Sequence, residues 1–374
     1  MLKAEVILGT GQKMTSKGGK IMKYPQNLKK GDTIGICAPS GGITKPEKQQ
    51  RLDEAIKQLQ EMGYKVIETE SVRKEEKGRS TTAKQRAKEF MQLLENEEVK
   101  LIIFATGGDY LVEMLDYLDL EKIKTLEPKW MQGFSDITVI EFLLNTVLEV
   151  PSIYCDTIKS YAMKTLYRNL TDAIKIASGE KVTQKSFEKH EKVINDIEQA
   201  FAVTEEEQMQ NPNAGYDLTE KVEWKNITGE KKIEIQGRMI GGCLDCVQRF
   251  FGTKYDNINA YIEKYKQDGI IWYLECFEMS SPELTRILWQ MKNAGYFEHV
   301  NGIIFGRPLF FREDYETSFN EAVKEVIGDL GIPIICDADI GHVAPQMAIV
   351  NGVIMKIVSE NGKGEVYYDP EWQR

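Results

Sequence analysis

The chain has 374 residues, with 42% hydrophobic and 28% charged residues and a formal net charge of −10. These values are typical of a globular protein of more than one domain. The acidic balance disfavours non-specific binding to nucleic acid, and no apolar run approaches the roughly 18 residues of a membrane-spanning helix. Six cysteines in a chain of this length do not indicate a disulfide framework. With no secretory signal at the N-terminus, we expect reduced thiols, a cytoplasmic location, and neither nucleic-acid nor membrane partners.

The first 179 residues comprise a lead-in and one predicted domain. Residues 1–21 are polar and are predicted to be flexible, with Met14 and Met22 as alternative start sites. From 22 to 179, apolar segments of strand length alternate with amphipathic segments, which predicts a doubly wound α/β domain with a parallel sheet. Its predicted strands are 33–38, 65–68, 101–106, 129–134 and 152–155. Its predicted helices are Glu47–Met62, Ala83–Glu95, Tyr110–Leu118 and Ile137–Val147.

The remainder of the chain comprises a connection and a second domain. Residues 180–235 are charged, contain Pro212 and show weak periodicity, which is typical of a linker or lid. Residues 236–374 return to alternation and end in β segments near 347–358 and 364–368. They predict a smaller α/β, β-rich domain with a partly antiparallel sheet. Its other predicted elements are strands 270–275, 302–306 and 332–336, a short helix from Leu244, and helices Pro282–Asn293 and Phe319–Ile327.

The sequence Gly133–Asp136 (GFSD) carries the first candidate catalytic residue. A predicted strand ends at Phe134 and a helix begins after Ser135, so the hydroxyl lies at the carboxyl end of a sheet strand beside outward-pointing amides. This resembles the nucleophile elbow of hydrolases, although Ile137 replaces the second glycine of the G-x-S-x-G pattern. In isolation, a serine in this position is more often a helix N-cap.

Two glycine-bearing turns follow other strands of the same predicted sheet. They are Thr106–Asp109 (TGGD) and Ala38–Gly42 (APSGG). Paired glycines allow backbone amides to approach a ligand, although they also occur in ordinary tight turns. Because the carboxyl ends of parallel strands share one edge of a sheet, the three turns are predicted to surround one crevice.

A serine nucleophile needs a base, and the chain contains three histidines. His190 lies in a Lys- and Glu-rich stretch and is predicted to be solvated, whereas His299 lies near a turn. His342, in a Gly- and Pro-bearing loop after a strand, is the best-placed candidate. Glu275 ends an apolar strand, where a buried carboxylate needs a partner such as an imidazole, and Glu278 is the competing choice.

Cys243 and Cys246 form a single C-x-x-C pair. Zinc sites usually have a second pair of Cys or His ligands, and the sequence offers none, so we interpret these residues as core thiols. Cys37 and Cys155 lie near strand ends, which leaves a cysteine amidohydrolase as a rival hypothesis, but neither lies in a recognisable elbow.

Taken together, the motifs resemble those of the LD-carboxypeptidase family of serine peptidases, which includes the microcin C immunity peptidases. The resemblance runs from about Lys30 to Tyr368. It rests on seven blocks in the family's order: GDTIGICAPSGGI (31–43), ATGGDY (105–110), PKWMQGFSDIT (128–138), GRMIGGCLDCVQRFFGT (237–253), YLECFE (273–278), GYFEHVNGIIFGRP (295–308) and DIGHVAP (339–345). It implies a flavodoxin-like N-terminal domain, a smaller C-terminal domain and, often, a homodimer.

The resemblance also implies roles for individual residues. Ser135 is the implied nucleophile, Glu275 the acid and His342 the base of a triad. The implied oxyanion amides are those of Gly108 and Asp136. Gly107 and Asp109 are expected to contact substrate. No metal or other cofactor is implied.

Several residues depart from the family pattern. Asp109 stands where many members have tyrosine and adds a negative charge beside the expected pocket. Cys243 stands where many have asparagine. The long segment before residue 237 is more like that of the microcin-immunity branch, and its Trp224 is a candidate for stacking on a nucleobase.

The resemblance predicts a serine carboxypeptidase that acts on a small peptide, with the murein tetrapeptide as the first expected substrate. A peptidyl-nucleotide antibiotic of the microcin C type is the alternative substrate. A non-catalytic protein that binds a small ligand in the crevice is the rival of a different class.

Overall fold

The computed structural model describes residues 22–195 and 205–373, and the predicted lead-in, residues 1–21, lies outside them. Within these ranges lie a six-stranded sheet, an eight-stranded sheet and a two-stranded hairpin. Among the described residues, no helix has the length and apolar character needed to cross a membrane.

The six-stranded sheet confirms the predicted doubly wound domain. Its strands are β1 (Thr33–Cys37), β2 (Lys65–Glu68), β3 (Val99–Phe104), β4 (Trp130–Gly133), β5 (Ser152–Tyr154) and β14 (Ile349–Asn351). Its helices are α1 (Pro46–Glu61), α2 (Ala83–Glu95), α3 (Leu120–Thr125), α4 (Thr138–Leu143) and α5 (Arg168–Ala177). Strands β1 to β5 are parallel in the flavodoxin-like order 2-1-3-4-5. β14, from the C-terminal region, pairs antiparallel with β5.

The pattern of burial explains why these segments form strands and helices. Every residue of β1 is buried, as expected for a central parallel strand covered by helices on both faces. α1 buries Leu52, Ala55 and Leu59, which recur at helical spacing. Two predicted helices differ in their winding. The segment predicted as helix Tyr110–Leu118 is a 3₁₀ helix at Leu111–Tyr117. The helix predicted from Ile137 begins as a 3₁₀ turn at Ser135–Ile137 before α4, as is common at the ends of α-helices.

The eight-stranded sheet is partly antiparallel, as predicted. Its strands are β6 (Val182–Lys185), β9 (Lys225–Asn226), β10 (Lys232–Cys243), β11 (Ile270–Glu275), β12 (Val300–Gly306), β13 (Ile334–Ala338), β15 (Ile354–Glu360) and β16 (Lys363–Tyr368). Its helices are α7 (Leu244–Val247), α8 (Ile258–Tyr265), α9 (Ser281–Asn293) and α10 (Phe319–Ile327). β10 to β13 are parallel, whereas the pairings of β6, β9, β15 and β16 are antiparallel.

The segment 180–235 contributes to both edges of this second sheet through β6 and β9. It also contains α6 (Glu205–Gln210) and a hairpin of β7 (Lys189–Glu191) and β8 (Leu218–Lys221). The division of the chain at 179/180 and 235/236 remains a prediction.

Helix α4 joins the two sheets. The ring of Phe142 on α4 stacks on Trp272 of β11 with ring centroids 6.3 Å apart, and it packs on Phe250 at 5.1 Å. A side chain at Gly242 would collide with Thr138, because a Cβ there would lie 2.6 Å from the threonine methyl group. The absence of a side chain therefore lets β10 approach α4. This contact brings the carboxyl end of β4 close to that of β11.

Candidate active site

Ser135 occupies a sharp turn between β4 and α4. Its φ angle is +66°, a left-handed conformation that is uncommon outside glycine. Phe134, not Ser135, holds the N-cap position of the following 3₁₀ turn. Gly133 permits the turn, because a Cβ there would lie 2.8 Å from a methyl group of Ile137. The residue that breaks the G-x-S-x-G pattern thus packs against the first glycine.

His342 lies between Ser135 and Glu275. Its Nε2 is 3.0 Å from the Ser135 Oγ, and its Nδ1 is 2.9 Å from the Glu275 Oε2. The rings of Phe134 and Phe277 pack against the imidazole ring, with centroid-to-centroid distances of 5.0 Å and 4.4 Å, and restrict its position. Hydroxyl, imidazole and carboxylate therefore form a continuous hydrogen-bonded series.

Glu275 is fully buried at the end of β11. Gly341 makes room for it, because a Cβ at that position would lie 2.6 Å from the Glu275 Cγ. Burial opposes ionisation of Glu275, but the charge of His342 and the hydrogen bonds from His342 and Tyr154 outweigh it, and the pKa of Glu275 lies below its ordinary value. Glu278 is exposed, and its amide donates to Asp245 instead. Glu275, rather than Glu278, contacts the imidazole.

Tyr154 is part of the site and was missed by sequence reasoning. Its buried hydroxyl donates to the Glu275 Oε1 at 2.6 Å and lies 3.5 Å from the Ser135 amide nitrogen. It is the last residue of β5 and pairs with Gly133 of β4. A tyrosine at the carboxyl end of the strand next to the elbow was the available signal.

The two glycine-bearing turns meet above Ser135. A Cβ at Gly107 would lie 2.9 Å from the Ser135 Oγ and 3.6 Å from the Asp136 amide nitrogen. Gly108 has a φ of +149°, and a Cβ there would lie 2.5 Å from the Ser40 Oγ. The first turn is tied to this one by a hydrogen bond from the Gly41 amide to the Gly107 carbonyl, at 3.2 Å. Backbone therefore surrounds the serine hydroxyl where side chains would obstruct it.

Asp136 and Asp109 differ sharply in environment. The Asp136 carboxylate is buried and accepts hydrogen bonds from the Ser40 hydroxyl and, at 2.9 Å, from the Leu111 amide. Burial raises the pKa of Asp136 to about 6, although these hydrogen bonds oppose the shift. Asp109, two residues after Gly107, is exposed. The Asp136 side chain thus connects Ser40 of the first turn with Leu111 after the second turn, whereas the Asp109 side chain is accessible to a ligand.

The cysteine pair lies close to Ser135 and Thr138. Cys243 is buried, and its amide donates to the Thr138 Oγ1 at 3.1 Å. The Cys246 thiol lies 3.7 Å from the Ser135 carbonyl oxygen. A hydrogen bond that the Cys243 thiol donates to Cys246, together with burial, raises the pKa of Cys243. Cys37 and Cys155 are buried as well. No group of three or more potential metal-binding side chains occurs in residues 22–195 and 205–373.

Two expectations about single residues are wrong. His190, predicted to be solvated, is 9% exposed because its hairpin packs on the C-terminal region, where the Glu191 amide donates to the Ala344 carbonyl. Trp224, considered for nucleobase stacking, is 2% exposed, packs over Gly364 and donates its indole N–H to Asp339 at 3.1 Å. Tertiary contacts bury both residues within charged stretches of sequence.

A doubly wound domain whose serine elbow faces an imidazole and a buried carboxylate from a second domain has the arrangement of an α/β serine hydrolase. Two family models match the chain. The LD-carboxypeptidase N-terminal domain matches residues 34–155, and the LD-carboxypeptidase C-terminal domain matches residues 236–357. The chain belongs to the LD-carboxypeptidase family of serine peptidases and is a hydrolase.

Individual proteins agree with this assignment. The microcin C7 self-immunity protein MccF of Escherichia coli is 26% identical over 352 residues, covering 88% of this chain and 92% of that protein. The probable murein peptide carboxypeptidase of Bacillus subtilis is 23% identical over 340 residues, covering 90% and 92%.

Solved structures show the same fold. An MccF-like protein from Bacillus anthracis superposes with a TM-score of 0.73 at 21% identity, covering 92% of this chain and 99% of that chain. MccF in complex with aspartyl sulfamoyl adenosine gives 0.71 at 23% identity, covering 92% and 98%.

Proposed function

We propose that Ser135, His342 and Glu275 are the nucleophile, base and acid of a serine carboxypeptidase. The observation that carries this proposal is the hydrogen-bonded series from the Ser135 hydroxyl through His342 to Glu275, at 3.0 Å and 2.9 Å. A hydroxyl within hydrogen-bond reach of an imidazole that is itself oriented by a carboxylate is the geometry of nucleophilic acyl transfer.

In the proposed reaction, the Nε2 of His342 accepts the Ser135 proton while the Oγ attacks the scissile carbonyl carbon. The carbonyl oxygen becomes an oxyanion that the amides of Gly108 and Asp136 stabilise. His342 then donates the proton to the leaving amine, and the C–N bond breaks. Water attacks the resulting ester with His342 again as base, which releases the acid and restores Ser135.

The proposed substrate is a small peptide with a free C-terminal carboxylate, first of all the murein tetrapeptide, which would lose its terminal D-alanine. Family membership and the Bacillus subtilis relative support this choice. Gly107 and Asp109 are proposed to contact the substrate, because Gly107 lies against the Ser135 hydroxyl and Asp109, two residues further on, is exposed.

A second substrate class has support of its own. MccF is 26% identical to this chain, and its solved complex contains an acyl sulfamoyl nucleoside. The second candidate is therefore hydrolysis of an aminoacyl or peptidyl nucleotide by the same residues.

Mass spectrometry of both substrate classes, incubated with the parent protein and with Ser135→Ala, tests the proposal. We expect loss of the terminal residue, or of the nucleotide, with the parent alone. Turnover by Ser135→Ala at the parent rate, or a lack of turnover by the parent on both classes, would contradict it.

Three further proposals concern the setting of the enzyme. We propose a cytoplasmic location, which fits the six cysteines being free thiols. We propose a homodimer, to be tested by light scattering. We also propose that hydrolysis needs no metal or other cofactor, so that a chelator leaves the turnover of the purified protein unchanged.

A further inference from the structure

Lys159 lies on the same edge of the sheet as Ser135. β3, β4 and β5 are adjacent, and their carboxyl ends lead to Thr106–Gly108, Ser135 and the 3₁₀ turn Ile158–Ala162 respectively. Lys159 is in that turn, and its Nζ donates to the Thr106 Oγ1 at 3.2 Å. The ammonium group is therefore anchored to the residue that immediately precedes Gly107.

The charge of Lys159 is not balanced by the protein around it. No carboxylate of residues 22–195 or 205–373 forms an ion pair with it, and the side chain is only half-buried. Burial and the positive charges of Lys48 and Arg51 lower the pKa of Lys159 to about 8. Even partial desolvation of an ammonium group without a counter-ion costs free energy, and an anionic ligand would offset that cost.

Arg51 fixes the backbone that carries Lys159. Its Nε donates to the Lys159 carbonyl at 3.0 Å, and its two terminal nitrogens donate to the carbonyls of Pro212 and Ala214 at 3.2 Å and 3.0 Å. The Arg51 guanidinium group thus binds backbone carbonyls, whereas the only hydrogen-bond partner of the Lys159 ammonium group among the described residues is a neutral hydroxyl. Lys159 is the cation of this pair that is available to a ligand.

The distances suit a group one residue beyond the scissile bond. A Cβ at Gly107 would lie 2.9 Å from the Ser135 Oγ. Thr106 is the next residue, roughly 3.8 Å further along the backbone, and one extended substrate residue spans roughly 3.3–3.6 Å. A substrate with its scissile carbonyl at Ser135 and its leaving residue extended along the backbone from Gly107 towards Thr106 would therefore bring its carboxylate towards the Lys159 ammonium group, which is bonded to Thr106.

We propose that Lys159 recognises the anionic group of the leaving amine, and that this contact confers specificity for a substrate with a free C-terminal carboxylate. This inference rests on the proposed function and names a determinant of its specificity. It implies that Lys159 acts on the choice of substrate rather than on the bond-breaking steps.

The test compares a murein tetrapeptide that ends in D-alanine with the same peptide that ends in D-alaninamide. The parent is expected to prefer the free acid. Lys159→Met is expected to lose about 10- to 100-fold in kcat/KM for the acid, through KM, and little for the amide. Lys159→Arg should retain most of the preference. Lys164→Met, an exposed lysine five residues along, is the matched control and should behave as the parent.

Binding to a Ser135→Ala protein gives a readout that does not depend on turnover. Calorimetry with and without Lys159→Met should show weaker binding of the acid by a similar factor and unchanged binding of the amide. An unchanged acid-to-amide ratio in Lys159→Met, or an equal loss for both peptides, would overturn the inference while leaving the hydrolase proposal intact. A parent that binds the acid in a Lys159-dependent manner but hydrolyses neither peptide would instead contradict the murein tetrapeptide as the substrate, and a parent that also fails on the nucleotide class would contradict the proposed hydrolase.

Discussion

The two sides of the crevice differ in how completely their polar groups are partnered. On the inner side, the carboxylate of Glu275 contacts both His342 and Tyr154, and the imidazole contacts Ser135. On the outer side, Asp109 is exposed, and within the part of the chain that the structure describes Lys159 has only a hydroxyl as its hydrogen-bond partner. Under the proposed roles, the inner side carries out chemistry that is the same for any acyl substrate. The outer side leaves charges available to select one.

The largest expected effect on turnover comes from removing the negative charge of Glu275. Glu275→Gln keeps the size of the side chain but loses the carboxylate that orients His342, and we expect kcat to fall about 10⁴-fold by analogy with other triads. Steady-state kinetics measures this. Glu278→Gln is the matched control, because Glu278 is exposed three residues away and does not contact the imidazole. An equal loss of kcat in both variants would contradict the assignment of Glu275, rather than Glu278, as the acid of the triad.

The buried carboxyl group of Asp136 is expected to make the free energy of unfolding depend on pH. Its pKa in the folded protein, about 6, exceeds the ordinary value of 3.8, so the folded state binds the proton more tightly than the unfolded state does. Stability conferred by this group is therefore lost as pH rises from about 4 to about 6, by up to about 3 kcal/mol. Asp136→Asn should abolish that loss, because an amide oxygen can still accept from Ser40 and Leu111.

Urea denaturation of the parent and Asp136→Asn at about pH 4 and about pH 7 checks this expectation. The variant should gain stability relative to the parent at the higher pH. A difference that stays constant between the two pH values would show that Asp136 does not titrate in this range.

Tyr154 provides a finer test of the inner side. Tyr154→Phe removes one hydrogen bond to the buried Glu275 carboxylate, and we expect a loss of about 10- to 100-fold in kcat/KM, since hydrogen bonds to charged groups contribute about 1.5–3 kcal/mol. Tyr273→Phe is the matched control. Tyr273 is also buried and its ring packs on Tyr154 at 5.5 Å, but its hydroxyl has no hydrogen-bond partner among the described residues. Similar losses in both variants would point to ring packing instead.

The smallest effect is expected on the outer side. Asp109→Asn should change KM by only about two- to fivefold, and mainly for substrates with an ammonium group near the scissile bond, because an exposed ion pair contributes about 1 kcal/mol or less. The effect should shrink at high salt. Glu98→Gln, an exposed acid next to the opposite, amino-terminal end of β3, should have no such effect. A salt-independent change in Asp109→Asn would argue against an electrostatic contact.

Much of this architecture was predictable, for reasons that individual elements make clear. α2 has the bounds expected from sequence, because its amphipathic pattern directly reflects which residues are buried. β2 also has the expected bounds, although its residues are exposed or half-buried. Ser135 was recognisable because a strand, a turn and a helix follow one another along the chain. Tyr154 and Ser40 were not recognised, because a tyrosine at a strand end and a serine in a turn are ordinary until their partners are known.

The sequence by itself determined the order of strands and helices, the position of the serine elbow and the membership of a family, since each depends on local patterns or on motifs in a fixed order. Only the tertiary structure decided which carboxylate meets His342, and that Trp224 and His190 are buried. The reason is distance along the chain. Ser135 and His342 are 207 residues apart, and their contact depends on how α4 packs against β10 and β11, which no local pattern specifies.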